Sequence, residues 1–523
     1  VTPTANEARP DVLIVGAGPV GMVLACELLQ RGVRVRIVDR IAEVDHAAAR
    51  GAAGANADPH SRAILLVPRV LELLRRVGVA DELVRAGTPV SSIRYCSAGR
   101  PVGTVAFSEL ADTDFKYVLA LPQRETERVL RRRLAELGGV VERGVALEEL
   151  GDPRRPRVRL RHPDGAVEEV TPGWLVGADG AASTTRKLLG VRLEGDPTDV
   201  TYVIADAPLT GPVPAGAQYY YSDDGLLAVI PMRDGLYRIA GNVPHDTAQT
   251  EPRWQELLQA AVDARARAPL RVGPPEYARL VRPRCGRATR FRVGRCFLVG
   301  DAAHVITPAG GQGMNLGVQD AVNLGWKLAA VVRDGLAESV LDTYEPERRE
   351  AAIRMSATTA RIIGLARPRG PLRVALRDAA VRGADRVGLV QRALARLLSQ
   401  LDVDYGSRGP LRRGLIRRGP WRGQRVPPGA TSLAEGGYTA LLWPGRRVPR
   451  NWAGTSARLR AALGGQVAVR DLGERPPAAA SRLRRLLGPA SVVAIVRPDG
   501  HLAHVARVRD VDATVAFVTG LSA

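Results

Sequence analysis

Gly16, Gly18, Gly21 and Asp39 have the types and spacing that hold a dinucleotide. The apolar run VLIV precedes this GxGxxG pattern, a helical pattern comes after it, and a second strand, VRVRIVD, ends at Asp39 with Arg40 next. Each residue has a job: Gly16 permits a tight turn, Gly18 lets the backbone meet a pyrophosphate, and Gly21 lets helix pack on strand. Asp39 can accept hydrogen bonds from a ribose. A tight turn with nothing bound would read the same way, and the pattern does not separate NAD(P) from FAD. A second cluster lies in GDAAHVITPAGGQGMNLGVQDAVNLGWKLA, from Gly300 to Ala329. There Asp301 ends a buried strand, Pro308, Gly310, Gly311 and Gly313 make a bend, and helical spacing begins at Met314 and Asn315. A glycine bend opening a helix offers backbone N–H groups and partial positive charge, which suits a flat, polar, electron-rich ligand. In a third cluster, WLVGADGAASTTRKLLG, a strand runs into Asp179 and Gly180, a small hydroxyl-rich turn, then Arg186 and Lys187. That turn suits phosphate contacts, and equally a helix start capped by Ser183 or Thr184.

These clusters must be positioned by strand–turn–helix units, and 523 residues supply two or three domains to do it. The composition is globular, with 45% hydrophobic residues. The net charge of +21 raises nucleic acid as a partner, but the only lysines are Lys116, Lys187 and Lys327 and no recognition motif accompanies the arginines. An arginine bias from a GC-rich genome explains the charge, and nucleic-acid binding is not expected. Cys26, Cys96, Cys285 and Cys296 show neither CxxC nor metal-ligand spacing, so reduced thiols in a cytoplasmic protein and no metal are expected. The first apolar run lacks a basic leader and a cleavage site, and no run is long enough to span a bilayer.

Taken in order and spacing, the three clusters resemble those of the class A flavoprotein monooxygenases of the para-hydroxybenzoate hydroxylase type, in their aromatic polyketide hydroxylase branch. SRA at Ser61–Ala63, LPQRETERVL at Leu121–Leu130 and DTYEPERRE at Asp342–Glu350 extend the resemblance over about the first 400 residues. The resemblance implies FAD as cofactor, with Asp301 on the ribityl chain and Pro308 with the Gly310–Asn315 turn lining the isoalloxazine. Arg62 and Gln123 match positions that touch FAD, and Asp179 and Gly180 match a motif associated with FAD and NADPH. His304 reads as structural. NADPH or NADH would serve as reductant and O2 as co-substrate, with hydroxylation through a flavin C4a-hydroperoxide. No side chain need bond covalently to substrate, so no catalytic residue is assigned. Baeyer–Villiger insertion or epoxidation on the same scaffold is a rival outcome. A non-catalytic flavin- or ligand-binding protein is a rival from another class.

The expected fold is α/β and α+β: a Rossmann-like FAD-binding domain over 1–190 and 286–400, with a β-sheet substrate domain inserted at 191–285. Within that insert, TYVIADAPL, AQYYYSDDGLLAVIPM and GLYRIAGNV read as strands separated by turn signals. Tyr219, Tyr221, Pro231 and Met232 could reach an aromatic substrate, or simply pack. Residues 401–428 read as a solvated, arginine-rich linker. The last part, 429–523, resembles a thioredoxin-like domain, but no cysteine follows Cys296, leaving packing or oligomer contacts as its role. The partner expected is a small polycyclic aromatic molecule, taken by a monomer or homodimer. The Ala- and Gly-rich stretch between Ile41 and Ser61 reads as a surface loop.

Overall fold

The computed structural model describes residues 9–42, 63–195, 200–223, 225–243, 253–282, 285–307, 311–365, 370–405, 422–428, 437–464, 467–473 and 480–520. It is a mixed α/β protein. Val12–Val15, entirely apolar and buried, sits inside a six-stranded sheet. It pairs in parallel with Val35–Asp39 on one side and Trp174–Gly177 on the other. Val141–Arg143 and Cys296–Leu298 extend the parallel run, and Arg292–Val293 closes one edge antiparallel. Parallel strands covered on both faces need such continuous apolar runs. Val15, Gly177 and Leu298 fall in register, so the loops after three strands emerge side by side. That is where open α/β sheets bind ligands. Helix Pro19–Leu29 begins in this crevice, and helix Gly313–Arg333 is buried from Asn315 to Ala330.

A second sheet of eight strands carries Thr201–Thr210, Ala217–Ser222, Gly225–Pro231, Leu236–Val243 and Tyr277–Val281. It also takes in Ser92–Ser97 and Arg100–Ala106, which lie outside the 191–285 span expected from sequence. The link is a parallel pairing of Ser92–Ser97 with Ala217–Ser222, placing Tyr95 beside Tyr219. Parallel partners are joined through long crossovers and leave no hairpin signal in the chain.

Near the C-terminus, strands Ala468–Asp471, Thr439–Trp443, Val492–Val496 and Leu502–Arg507 lie in that order. The first pair is parallel and the other two antiparallel. The turn before Leu502–Arg507 inserts among the helices of the first sheet's domain. The Asp499 carboxylate accepts from Trp326 Nε1 at 3.2 Å and pairs with Arg497, while its carbonyl accepts from Arg69 at 2.8 Å. Glu347 joins Lys327, at 2.8 Å, to Arg497. Arg425, expected in a solvated linker, is instead buried and paired with Glu72 at 2.6 Å and Asp112 at 3.4 Å. Two carboxylates distant in sequence supply its counter-charges, which a reading of the local charge run could not reveal.

Burial alone would raise the Asp320 and Asp499 carboxyls, but His304 and Arg348 beside one, and Arg497 and His501 beside the other, hold both below their ordinary value. A depressed folded-state pKa contributes stability that is complete above the unfolded value, about 4, and lost as pH falls through the folded value. Urea unfolding should therefore show stability falling steeply below about pH 4. Stability unchanged down to about pH 2 would contradict these pairings.

Candidate active site

A cavity of about 1120 Å³ opens where the strand ends meet. Gly16, Gly18, Asp39 and Arg40 line one part of it, and Asp301, Gly311, Gly313 and Met314 another. Gln123, Asp179 and Gly180 also line it. The three fingerprint glycines have separable roles. Gly16 has φ of +105°, and a Cβ there would lie 2.5 Å from the Ala178 carbonyl oxygen, so two loop backbones meet at this point. A Cβ on Gly21 would fall 2.0 Å from the Gly16 carbonyl oxygen, so Gly21 serves helix-to-strand packing and is absent from the cavity wall. A Cβ on Gly18 would meet nothing within 4 Å. Its side is open, as a ligand passing close to the backbone requires.

The Asp39 carboxylate accepts from the backbone N–H of Ala17 at 2.7 Å and of Ile41 at 2.9 Å. It thereby ties the glycine turn to the end of its own strand, with lone pairs left for a hydroxyl donor. Asp179 is occupied locally: it accepts from Ser183 Oγ at 2.5 Å, Thr185 N at 2.9 Å and Thr185 Oγ1 at 3.1 Å. Ser183 in turn caps helix Thr184–Leu188. Arg186 donates to the carbonyls of Ala302 at 3.0 Å and Ala181 at 2.7 Å, so it braces two loops. The capped-helix reading of that cluster describes these residues, and exposed Lys187 is the cluster's other cation on the wall. Gln123 Oε1 accepts from Ala63 N at 3.3 Å, joining its helix start to the segment that leads into strand Leu65–Leu66.

Asn315 is also off the wall. Its side chain accepts from Val67 N at 3.0 Å and donates to the carbonyls of Leu65 at 2.7 Å and Gly311 at 2.8 Å, pinning the glycine bend to the Leu65–Val67 segment. Arg62, Pro308 and Gly310, expected at the cofactor from sequence, lie outside the described residues. His304 is buried with Nε2 2.5 Å from Asp320, which also accepts from Gly300 N at 3.0 Å and Arg348 Nε at 2.6 Å. The Gly300–Asp301 turn is thus anchored from beneath by a buried carboxylate.

A smaller pocket of about 50 Å³ lies between the two sheets' domains, lined by Tyr95, Tyr219, Tyr221, Leu226, Met355 and others. Tyr95 stacks on Tyr221 with centroids 6.2 Å apart and tilts against Tyr219 at 5.8 Å. Burial pushes Tyr219 up to about 12, and raises Tyr95 and Tyr221 as well, so the three phenols are neutral at pH 7. Gln312 lines both this pocket and the large cavity. Tyr219 and Tyr221 are legible as candidates in the sequence, whereas Pro231 and Met232 are not among the residues lining the pocket. Tyr95 escapes a reading of the sequence because a distant strand brings it in, and Gln312, within the turn expected at the isoalloxazine, gives no sign in sequence that it also lines the second pocket.

A large cavity at a GxGxxG turn, with room beside Gly18 and a helix N-terminus on its far side, fits FAD. Residues 9–359 match the family model described as FAD binding domain. The chain is 36% identical over 542 residues to 6-methylpretetramide 4-monooxygenase of Streptomyces rimosus, covering 94% of this chain and 90% of that protein. The solved structure of OxyS anhydrotetracycline hydroxylase, also from Streptomyces rimosus, superposes with a TM-score of 0.75 at 30% identity, covering 98% and 99% of the two chains. CabE, an aromatic hydroxylase from angucycline biosynthesis, gives 0.73 at 27% identity, with 98% and 100% covered. By both sequence and fold, this chain belongs to the FAD-binding-domain family of flavin-dependent aromatic monooxygenases.

Proposed function

We propose that the protein uses FAD and NAD(P)H to hydroxylate a polycyclic aromatic polyketide or related phenol with O2. The observation that carries this reading is the placing of a tyrosine-lined apolar pocket against the flavin-sized cavity, with Gln312 in the shared wall. Gly16, Gly18, Asp39 and Arg40 would hold the ADP half of FAD, and Asp301, Gly311, Gly313 and Met314 the ribityl chain and ring. Arg62, Gln123, Asp179, Gly180, Pro308 and Gly310 belong to the same proposed site, with Gly21 and Asn315 supporting it through packing. Bound FAD would supply the redox chemistry, accepting a hydride equivalent and activating oxygen. The chain's own contribution is positional. Helix Gly313–Arg333 presents its positive end to the cavity, favouring negative charge on a reduced ring. The tyrosine rings offer faces to the leading edge of a fused aromatic system, the pocket itself being about 50 Å³, and help exclude water that would divert reducing equivalents to hydrogen peroxide.

The strand order and directions near the C-terminus support the thioredoxin-like reading of that unit, and the absence of cysteine there leaves it a packing or oligomer-contact role. Turnover under ¹⁸O2 with NADPH and a panel of polyphenolic polyketides, anhydrotetracycline among them, tests the function. A product carrying one labelled hydroxyl is expected. Labelled lactone or epoxide products would move the reading to Baeyer–Villiger or epoxidising chemistry, and tight ligand binding without NADPH consumption to a binding protein.

Tyr221→Ala should weaken binding of an accepted polyphenol about tenfold, the size of one lost aromatic contact, without changing FAD content. Difference spectroscopy reads both quantities, and unchanged affinity would remove the tyrosines from the substrate site.

A further inference from the structure

We propose that the Pro498–Asp499 turn of the C-terminal unit is a positioning element for the flavin: it fixes helix Pro19–Leu29 against helix Gly313–Arg333 away from the large cavity, and so sets the spacing of their cavity ends. The inference rests on reading that cavity as the FAD site. The two helices approach closely at two glycines. Near the cavity, a Cβ on Gly317 would lie 2.7 Å from Val20 Cγ2, and Val20 lines the cavity wall. About two turns further along, a Cβ on Gly325 would lie 2.6 Å from Glu27 Cγ. Glu27 is completely buried there, so this second contact persists only while its carboxylate is paired.

The pairing leads into the C-terminal unit. Arg76, on helix Pro68–Val77, donates through Nη2 to Glu27 Oε1 at 2.5 Å and through Nη1 to the Pro498 carbonyl. The next carbonyl, of Asp499, accepts from Arg69 on the same helix at 2.8 Å. The Asp499 carboxylate meets the other cofactor helix, accepting from Trp326 Nε1 at 3.2 Å and Asn323 Nδ2 at 3.4 Å. Two adjacent residues therefore reach, directly or through one arginine, both helices that open on the cavity. Arg497 supplies the counter-charge to Asp499 at 2.5 Å and also pairs with Glu347, which binds Lys327 on the second helix at 2.8 Å. Glu27, Asp499 and Trp326 are no more than 2% exposed, so breaking one of these bonds leaves a polar group without a partner instead of handing it to water.

The test titrates FAD into the flavin-free full chain at a temperature well below unfolding, and needs neither substrate nor turnover. Asp499→Ala removes the acceptor for Trp326 and Asn323 and should raise the FAD dissociation constant about tenfold, within the usual range for coupling between separate sites. The visible circular dichroism of the bound flavin should change with it. Leu459→Ala is the control. Leu459, on helix Trp452–Leu463, is buried in the core of the C-terminal unit and is no part of the turn, so its loss should lower the unfolding temperature yet leave the dissociation constant within about twofold. An unchanged constant in Asp499→Ala overturns the proposal. So does an equal rise in Leu459→Ala, because lost stability alone would then weaken binding. Trp326→Phe is the second variant if Asp499→Ala does not fold. It deletes one donor to Asp499 and should raise the constant about threefold, and no change there would equally overturn the proposal. Gly18→Val, measured alongside, separates the turn's role from the site reading beneath it. FAD lost in Gly18→Val but bound normally in Asp499→Ala refutes the turn's role alone, whereas FAD retained in Gly18→Val refutes the site reading and the inference with it.

Discussion

Gly18→Val is expected to abolish FAD retention while leaving the chain folded. Gly18 has φ of −72° and ψ of −179°, a backbone any residue adopts, and a Cβ there meets no protein atom within 4 Å. The added isopropyl group therefore costs the fold little and occupies the side on which a pyrophosphate must pass. Blocking that approach should raise the FAD dissociation constant at least about 100-fold, because backbone N–H contacts at the helix start are lost together. Gly21→Ala makes the contrast, since its Cβ would fall 2.0 Å from a backbone oxygen and the fold itself must give way. Flavin content and thermal unfolding, measured side by side, separate the two. Normal FAD content in Gly18→Val would show that the cofactor lies elsewhere.

The second large effect is expected at Asp320. Its carboxylate is fully buried, as is the Arg348 guanidinium it accepts from at 2.6 Å, and it also binds His304 and the Gly300 N–H. Asp320→Ala leaves Arg348 with carbonyl and hydroxyl partners, Leu316 O at 3.0 Å and Tyr405 Oη at 3.2 Å, but no counter-charge. Removing one member of a buried pair typically costs about 3–5 kcal/mol, and urea unfolding should show a loss of that size. The turn bearing Asp301 loses its anchor as well, so FAD affinity should fall in the protein that remains folded. A loss under about 1 kcal/mol would mean that the pair does not organise this turn.

Much of the proposed cofactor site is local in the chain, and its residues stand out in the sequence for that reason. The GxGxxG turn, Asp39 and the bend after Asp301 each join a strand to the next element within a few residues, and the residue types state the backbone geometry. The features that escape depend on pairing between distant segments. Tyr95 reaches Tyr219 through a parallel strand pairing with no turn to announce it. Arg425 is buried because Glu72 and Asp112 lie opposite it, and Asp499 because Arg69, Trp326 and Arg497 converge there. Asp179 and Arg186 show the reverse difficulty. Their residue types suit phosphate contacts, yet their hydrogen bonds are spent on this loop and on the neighbouring one at Ala302.

The most direct measurement is anaerobic stopped-flow bleaching of the flavin in the purified chain by NADPH and by NADH, with and without the polyphenolic panel. A hydroxylase of this kind should hold FAD whose visible absorption is bleached by at least one nicotinamide, faster when a panel member fills the tyrosine pocket. A chain that holds no FAD, or whose FAD stays oxidised with both nicotinamides across the panel, would contradict that function.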